Sequence, residues 1–226
     1  MGQVIDLTER REATRRNTRR REPLRAQLFF DLACPFTYLA TERVERAFHH
    51  VTWTPASADT LQRGCLADDP DGVEIVRTAA ERRAAELRLP LVWPENFPQD
   101  VPAAMRAAAF AAEQGRGSAF VLAAGRLAFC GGFDLDDPEI LAEAAAAAGI
   151  PLEDCFHAAG DATRDAAAEA TGRRLLAAGA DRLPVLRVGR SLFWGEPRVG
   201  AAAASVRQAT PALARRGSQL DGLPTG

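Results

Sequence analysis

The chain contains no lysine; all 28 of its basic residues are arginine, set against 30 acidic ones for a formal net charge of -2 and a pI near 6.0. That balance gives no global reason to expect a nucleic acid or an anionic membrane surface as partner. Long apolar runs are also missing. The start, MGQVIDLTER, has no apolar core of signal-peptide length, and no later stretch approaches the roughly 18 apolar residues of a membrane span. Asp6 stands where a myristoylation motif needs Ser or Thr. A cytoplasmic protein is the expectation. The four cysteines, Cys34, Cys65, Cys130 and Cys155, form no CxxC pair and have no metal-ligand spacing with the three histidines. Neither a structural zinc site nor a disulfide framework is expected.

What is present falls into blocks. Residues 1–25 carry eight arginines and few large apolar side chains, so they read as a solvated leader that cannot bury a core. From Ala26 the run AQLFFDL predicts a strand, and Phe36, Ala40, Val44 and Ala47 recur at helical spacing. HVTWTP, ending at Pro55, predicts a second strand. Helical patterns then dominate: 71–89, 101–115, a segment with Asp137 as cap, Pro138 in the first turn and Gly149 past the end, then 150–160 and 161–179. LPVLRVGRSLFWG restores the strand signal, with Gly189-Arg190 at hairpin spacing, and a final helix is predicted from about Pro197 to Arg215. The order is β-α-β, helical insertion, β-β-α. The pattern by itself states an α/β protein with a helical subdomain. The divisions are a leader at 1–25, one α/β unit from 26–58 and 180–216, an inserted helical subdomain at 59–179, and a tail at 217–226.

The chemistry concentrates at Cys34. Pro35 takes the first helical position, so unsatisfied N–H groups and the positive end of the helix dipole point at the sulfur, and both favour thiolate. The competing reading is a small buried hydrophobe, the commonest fate of a free cysteine. Thr37, three residues on, is not a cysteine, so no intramolecular disulfide can close there. His49-His50 and Asp134, Asp136 and Asp137 read as a helix end and a helix start rather than metal ligands. Trp93, Phe97, Phe193 and Trp194 could line an apolar pocket, although such residues are more often core.

FDLACPFTYLATERV together with LPVLRVGRSLFWGEPRV resembles the DsbA-like branch of the thioredoxin superfamily, especially 2-hydroxychromene-2-carboxylate isomerases and kappa-class glutathione transferases. LPLVWPENFPQDVPAAMRAAAFAAEQG is similar to the Pro-rich loop and following helix of those proteins. The resemblance covers roughly residues 26–215 and implies a thioredoxin-like fold of DsbA/kappa type. It places Cys34 on the reactive Ser or Cys, Thr37 at the end of the four-residue motif, and Pro184 on the superfamily's cis-proline. Leu183 would then pair with an extended thiol peptide, Pro35 would start the binding helix, and Glu196 would take over the acid that holds the amino end of glutathione. Pro197 sits where that acid usually stands, and with no lysine present Arg63 or Arg106 is left for carboxylate binding. The implied cofactor is glutathione or another low-molecular-weight thiol. The implied activity is a thiol-dependent isomerase or transferase on a small aromatic or unsaturated substrate. A monothiol-disulfide oxidoreductase and a non-catalytic thioredoxin-like adaptor are the alternatives. The expected partners are a small-molecule thiol and a small aromatic substrate, with a homodimer as the assembly to test, no nucleic acid and no membrane.

Overall fold

The computed structural model describes residues 25–62 and 69–207. The leader and tail proposed from the sequence, Arg63 and Cys65 fall outside them, apart from Arg25.

Four strands form one mixed sheet in the order β2-β1-β3-β4. Strand β1, Ala26–Phe30, runs parallel to β2, Val51–Pro55, with Phe29 opposite Thr54 and Phe30 opposite Pro55. It runs antiparallel to β3, Val185–Val188, which turns back into β4, Ser191–Trp194. The turn between β3 and β4 uses Gly189 at φ 59°, a conformation that costs a glycine little. Only β1 and β3 have neighbours on both sides, and their side chains alternate between two buried faces. Leu28, Phe30, Leu186 and Val188 join the main core, while Phe29 and Val185 join a second cluster.

Helix α1, Pro35–Ala47, connects the two parallel strands and buries Tyr38, Leu39, Ala40 and Val44. A short helix α2, Ala58–Gln62, precedes α3, Pro70–Leu87, whose N-terminus is capped by Asp69 through a 3.0 Å bond from the Gly72 N–H. Then follow α4, Pro102–Glu113, α5, Gly117–Phe129, α6, Pro138–Ala148, α7, Leu152–Gly160, and α8, Asp165–Ala177. Asp137 caps α6, accepting from Glu139 N–H, and Gly149 ends it at φ 68°. Alanines at 104, 107, 108 and 111 give α4 a face with no projecting side chains, which lets it lie close against α5 and α7. Leu28, Phe30 and Leu39 share one continuous core with Ala108 of α4 and Phe120 and Phe129 of α5.

The sequence reading assigns neither the short helix α2 nor helix α5. The α5 segment GSAFVLAAGRLAF is apolar nearly all round and has no polar stripe to mark a helical period. After β4 the chain makes a single 3₁₀ turn at Glu196–Arg198 before helix α9, seen over residues 199–207; the stretch to Arg215 predicted as helix lies beyond the described residues. Among the described residues no helix is long and apolar enough to cross a membrane.

Candidate functional site

Cys34 occupies the N-cap of α1, where the chain leaves β1 and Pro35 opens the helix. The turn is held locally: Cys34 N–H donates to Asp31 O at 3.2 Å and Thr37 N–H to Cys34 O at 3.0 Å. Across the sheet, the Sγ–H donates to the carbonyl of Leu183 at 3.9 Å, although 149 positions separate the two residues. The Leu183-Pro184 peptide is cis, and the Pro184 carbonyl accepts from Gly195 N–H at 2.8 Å. Cys34, Pro35, Thr37, Leu183 and Pro184 are thus brought together, as the motif resemblance implied.

Cys34 is only 9% exposed and sits among Phe29, Ala56, Leu61, Leu175, Leu183 and Val185. Burial pushes its thiol up to about 11; the N–H groups of Thr37 and Phe36 and the Thr37 hydroxyl oppose this, and the Asp31 charge adds to the rise. The expected depressed thiolate is therefore corrected. A helix terminus contributes about 2 kcal/mol at most, whereas full desolvation can contribute up to about 7 kcal/mol. Burial thus favours the neutral S–H of Cys34 over its thiolate. Thr37 is buried too, its hydroxyl oxygen accepting from Asp31 N–H at 3.4 Å.

Asp31 was not singled out in the sequence. Its carboxylate is 7% exposed and joins two segments: Oδ1 accepts from Ala33 N–H at 2.9 Å and Oδ2 from Ala58 N–H at 2.8 Å. Burial raises it to about 6 despite those two bonds, so it is ionised at neutral pH beside the thiol. The available signal was an acid placed directly between an apolar strand and a helix start, where a charge survives only with backbone donors around it.

Glu196 does not join this group. It is fully buried, and both of its oxygens are taken by Arg43 of α1 and Arg83 of α3, with Arg43 also donating to its carbonyl at 3.3 Å. The expectation that it binds a cofactor amino group is corrected, because the carboxylate has no free face to offer. Arg106 is likewise committed, bidentate to Asp165 at 2.7 and 2.6 Å. Asp134 and Asp136 hold loop and helix N–H groups, Asp136 accepting from Ala104 N–H at 3.2 Å.

The four aromatic candidates divide. Trp93 and Phe97 lie tilted against each other with centroids 4.5 Å apart, both edge-on to Phe129, with the Arg77 guanidinium above both rings. Phe193 and Trp194 lie on β4, at the far edge of the sheet. Phe97, Phe129 and Phe133 border a groove beside Leu32 and Ala33 whose cavity is only about 30 Å³, room for about one water molecule.

No curated protein matches the sequence. Solved structures do share the fold. A 2-hydroxychromene-2-carboxylate isomerase superposes with a TM-score of 0.69 at 15% identity, covering 87% of this chain and 99% of its own. A protein from Streptomyces coelicolor described as a DsbA oxidoreductase gives 0.65 at 21%, covering 83% and 90%. The cytosolic disulfide reductase DsbM from Pseudomonas aeruginosa, solved with glutathione, gives 0.59 at 19%, covering 85% and 100%. The family model of the DSBA-like thioredoxin domain matches residues 26–206, nearly all of the described chain, and the protein belongs to that family.

Proposed function

We propose that the protein is a thiol-dependent enzyme of the isomerase or transferase kind, which holds a low-molecular-weight thiol such as glutathione at the N-terminus of α1 and acts on a small aromatic or unsaturated substrate. The observation that carries this reading is the placement of Cys34: a buried thiol at a helix N-terminus, with a threonine hydroxyl in place of a second sulfur one turn on; burial pushes that thiol toward its neutral form. A neutral S–H, a nearby O–H and the first N–H groups of a helix are donors that suit an incoming thiolate, while the Asp31 carboxylate, held by Ala33 and Ala58, is the charge that opposes it.

When bound, the thiol supplies a nucleophilic sulfur that adds to an activated double bond and leaves again, so that the carbon–carbon bond can rotate while it is single. The chain's part is to stabilise that sulfur as an anion. Cys34 donates its S–H, turning away from the Leu183 carbonyl, and the Leu183 backbone offers an edge for an extended peptide-like thiol. Asp31 keeps the turn in place through Ala33 and Ala58. The residues present fit the sulfur end of glutathione; the Glu196 ion pair means that its amino end must be held by something other than that carboxylate. An isomerase and a glutathione-bound reductase with the same fold support a thiol site of this kind.

Disulfide exchange by Cys34 alone would require its thiolate, which burial opposes. The test compares two assays on the wild type: glutathione-dependent cis-trans isomerisation of an aromatic enone acid, and insulin reduction. Thiol-dependent isomerisation well above disulfide reduction is expected. Efficient insulin reduction without isomerisation would favour the oxidoreductase, and silence in both assays, with no thiol binding, would leave the adaptor.

A further inference from the structure

The sheet ends at β4, which pairs with β3 and has no strand on its other side among the described residues. The Gly195 N–H donates to the Pro184 carbonyl at 2.8 Å, so with Val185 opposite Trp194 the bonded pairs recur at Leu186 with Phe193 and at Val188 with Ser191. Leu192 and Trp194 therefore turn their N–H and C=O groups away from β3, and among the described residues nothing pairs with those groups. Such a row of open main-chain donors and acceptors is a template for another strand. Leu192 packs its side chain against the cluster around Cys34 and Phe193 packs against the main core, which anchors the strand, while Trp194 stays 37% exposed.

The charge around this edge has one sign. From Arg182 to Gly195 the chain holds three arginines and no acid, and Arg198 follows in the 3₁₀ turn after β4. Arg182 is taken by Asp181, and the Arg187 guanidinium lies over the Phe29 ring. Arg190, in the turn before β4, and Arg198, beyond its end, are exposed and form no ion pair with a described residue. The acid that follows the strand, Glu196, is fully buried between Arg43 and Arg83 and neutralises neither of them.

We propose that the β4 edge takes an extended acidic segment of a partner protein as a fifth strand, its main chain on Leu192 and Trp194 and its carboxylates on Arg190 and Arg198. Main-chain bonds supply the attachment, and side-chain charge supplies the choice of partner. Charge sets aside the occupants that this chain itself offers. A second copy would bring its own Arg190 to an edge with no carboxylate free to meet it, and charges placed in this way guard an edge against self-pairing. Residues 1–24 carry seven arginines against four acids, and residues 208–226 two against one, so both segments are basic like the edge. A segment with Asp or Glu at alternate positions fits, since every second side chain of an added strand falls on one face. This contact is independent of any thiol bound at α1.

The test uses the peptide acetyl-GEVDVEVDG-amide and its basic counterpart acetyl-GKVKVKVKG-amide, followed on the full chain by amide hydrogen exchange and the Trp194 indole signal in NMR. The acidic peptide should shift that signal and slow exchange at Leu192 and Trp194, and the basic one should do neither. The double variant Arg190→Ser/Arg198→Ser should weaken binding about tenfold, the combined scale of two exposed ion pairs. Leu192→Pro removes an outward N–H without touching the bonds to β3 and should abolish binding. If that variant fails to fold, the acidic peptide N-methylated throughout decides on the wild type: it has no N–H to give to the edge and should not bind. Equal binding of the acidic and basic peptides, unchanged exchange at Leu192 and Trp194, or binding of the N-methylated peptide would each overturn the proposal, as would protection of those two amides by self-association without any peptide. Cys34→Ser should bind the acidic peptide as the wild type does, so a failure of the thiol chemistry leaves this result separate.

Discussion

At Cys34 the helix terminus and the apolar surroundings act in opposite directions on one thiol. Burial is the larger effect and favours the protonated thiol, pushed up to about 11. Alkylation by iodoacetamide, with the other cysteines replaced, should therefore rise only well above the pH at which free cysteine reacts; a titration at or below the ordinary value near 8.5 would contradict this. Asp31 contributes to the effect, so Asp31→Asn should move the alkylation profile to lower pH. Asp31 also makes stability depend on pH. Its folded value, about 6, lies above the ordinary aspartate value of 3.8, so it favours the fold below about pH 4 and loses that contribution as pH rises through 6. A rise of that size corresponds to about 3 kcal/mol. In urea unfolding the advantage of wild type over Asp31→Asn should shrink by up to that amount between pH 4 and 7.5. A difference that stays flat or grows would contradict the assignment. Some wild-type advantage should remain at high pH, because Asn offers one oxygen where two N–H groups, from Ala33 and Ala58, need acceptors.

Between elements, buried charge and close approach do the joining. Glu196 ties the turn after β4 to both α1 and α3 through Arg43 and Arg83. Removing its charge in Glu196→Gln leaves two guanidinium groups facing a neutral amide, and breaking a buried pair in this way costs about 3–5 kcal/mol. Chemical denaturation should show that loss while thiol affinity of the folded protein stays near wild type; an intact stability with lost thiol binding would restore Glu196 to the site. Gly172 of α8 lies so close to the segment after β2 that an added Cβ would stand 2.9 Å from both Ser57 O and Thr60 Cβ. Gly172→Ala should cost about 1–3 kcal/mol by thermal or urea unfolding, the usual scale of overpacking. At Gly125 the nearest atom to such a Cβ is Tyr38 Cδ2 at 3.5 Å, an ordinary contact, so Gly125→Ala should be tolerated. These joints were not legible in the sequence. Pro35, Asp137, Pro138 and Gly149 announce helix ends through local chemistry, whereas Glu196 meets Arg83 across 113 positions, and nothing in the local pattern records the meeting.

Across the whole molecule, the parts read correctly were those written in short stretches. The α/β order, the β3-β4 hairpin and the meeting of Cys34 with Leu183-Pro184 follow from strand runs, a two-residue turn and a motif pair. What escaped depends on the assembled interior. Cys34 faces the second apolar cluster rather than solvent, and only the alternation of β1 and β3 side chains, plus Leu61 and Leu175 from distant helices, makes that cluster dry. The charge state of the thiol is thus set by the fold, and under the proposed function it makes Cys34 a hydrogen-bond donor rather than a nucleophile. That is the central claim, and the rate of glutathione-dependent isomerisation in wild type, Cys34→Ser and Cys34→Ala tests it most directly. A donor role predicts that serine, which keeps a hydrogen to donate, retains most of the rate and that alanine loses about tenfold or more. Serine as inactive as alanine, with a mixed disulfide trapped on wild-type Cys34, would show that the sulfur itself is the nucleophile and contradict the account.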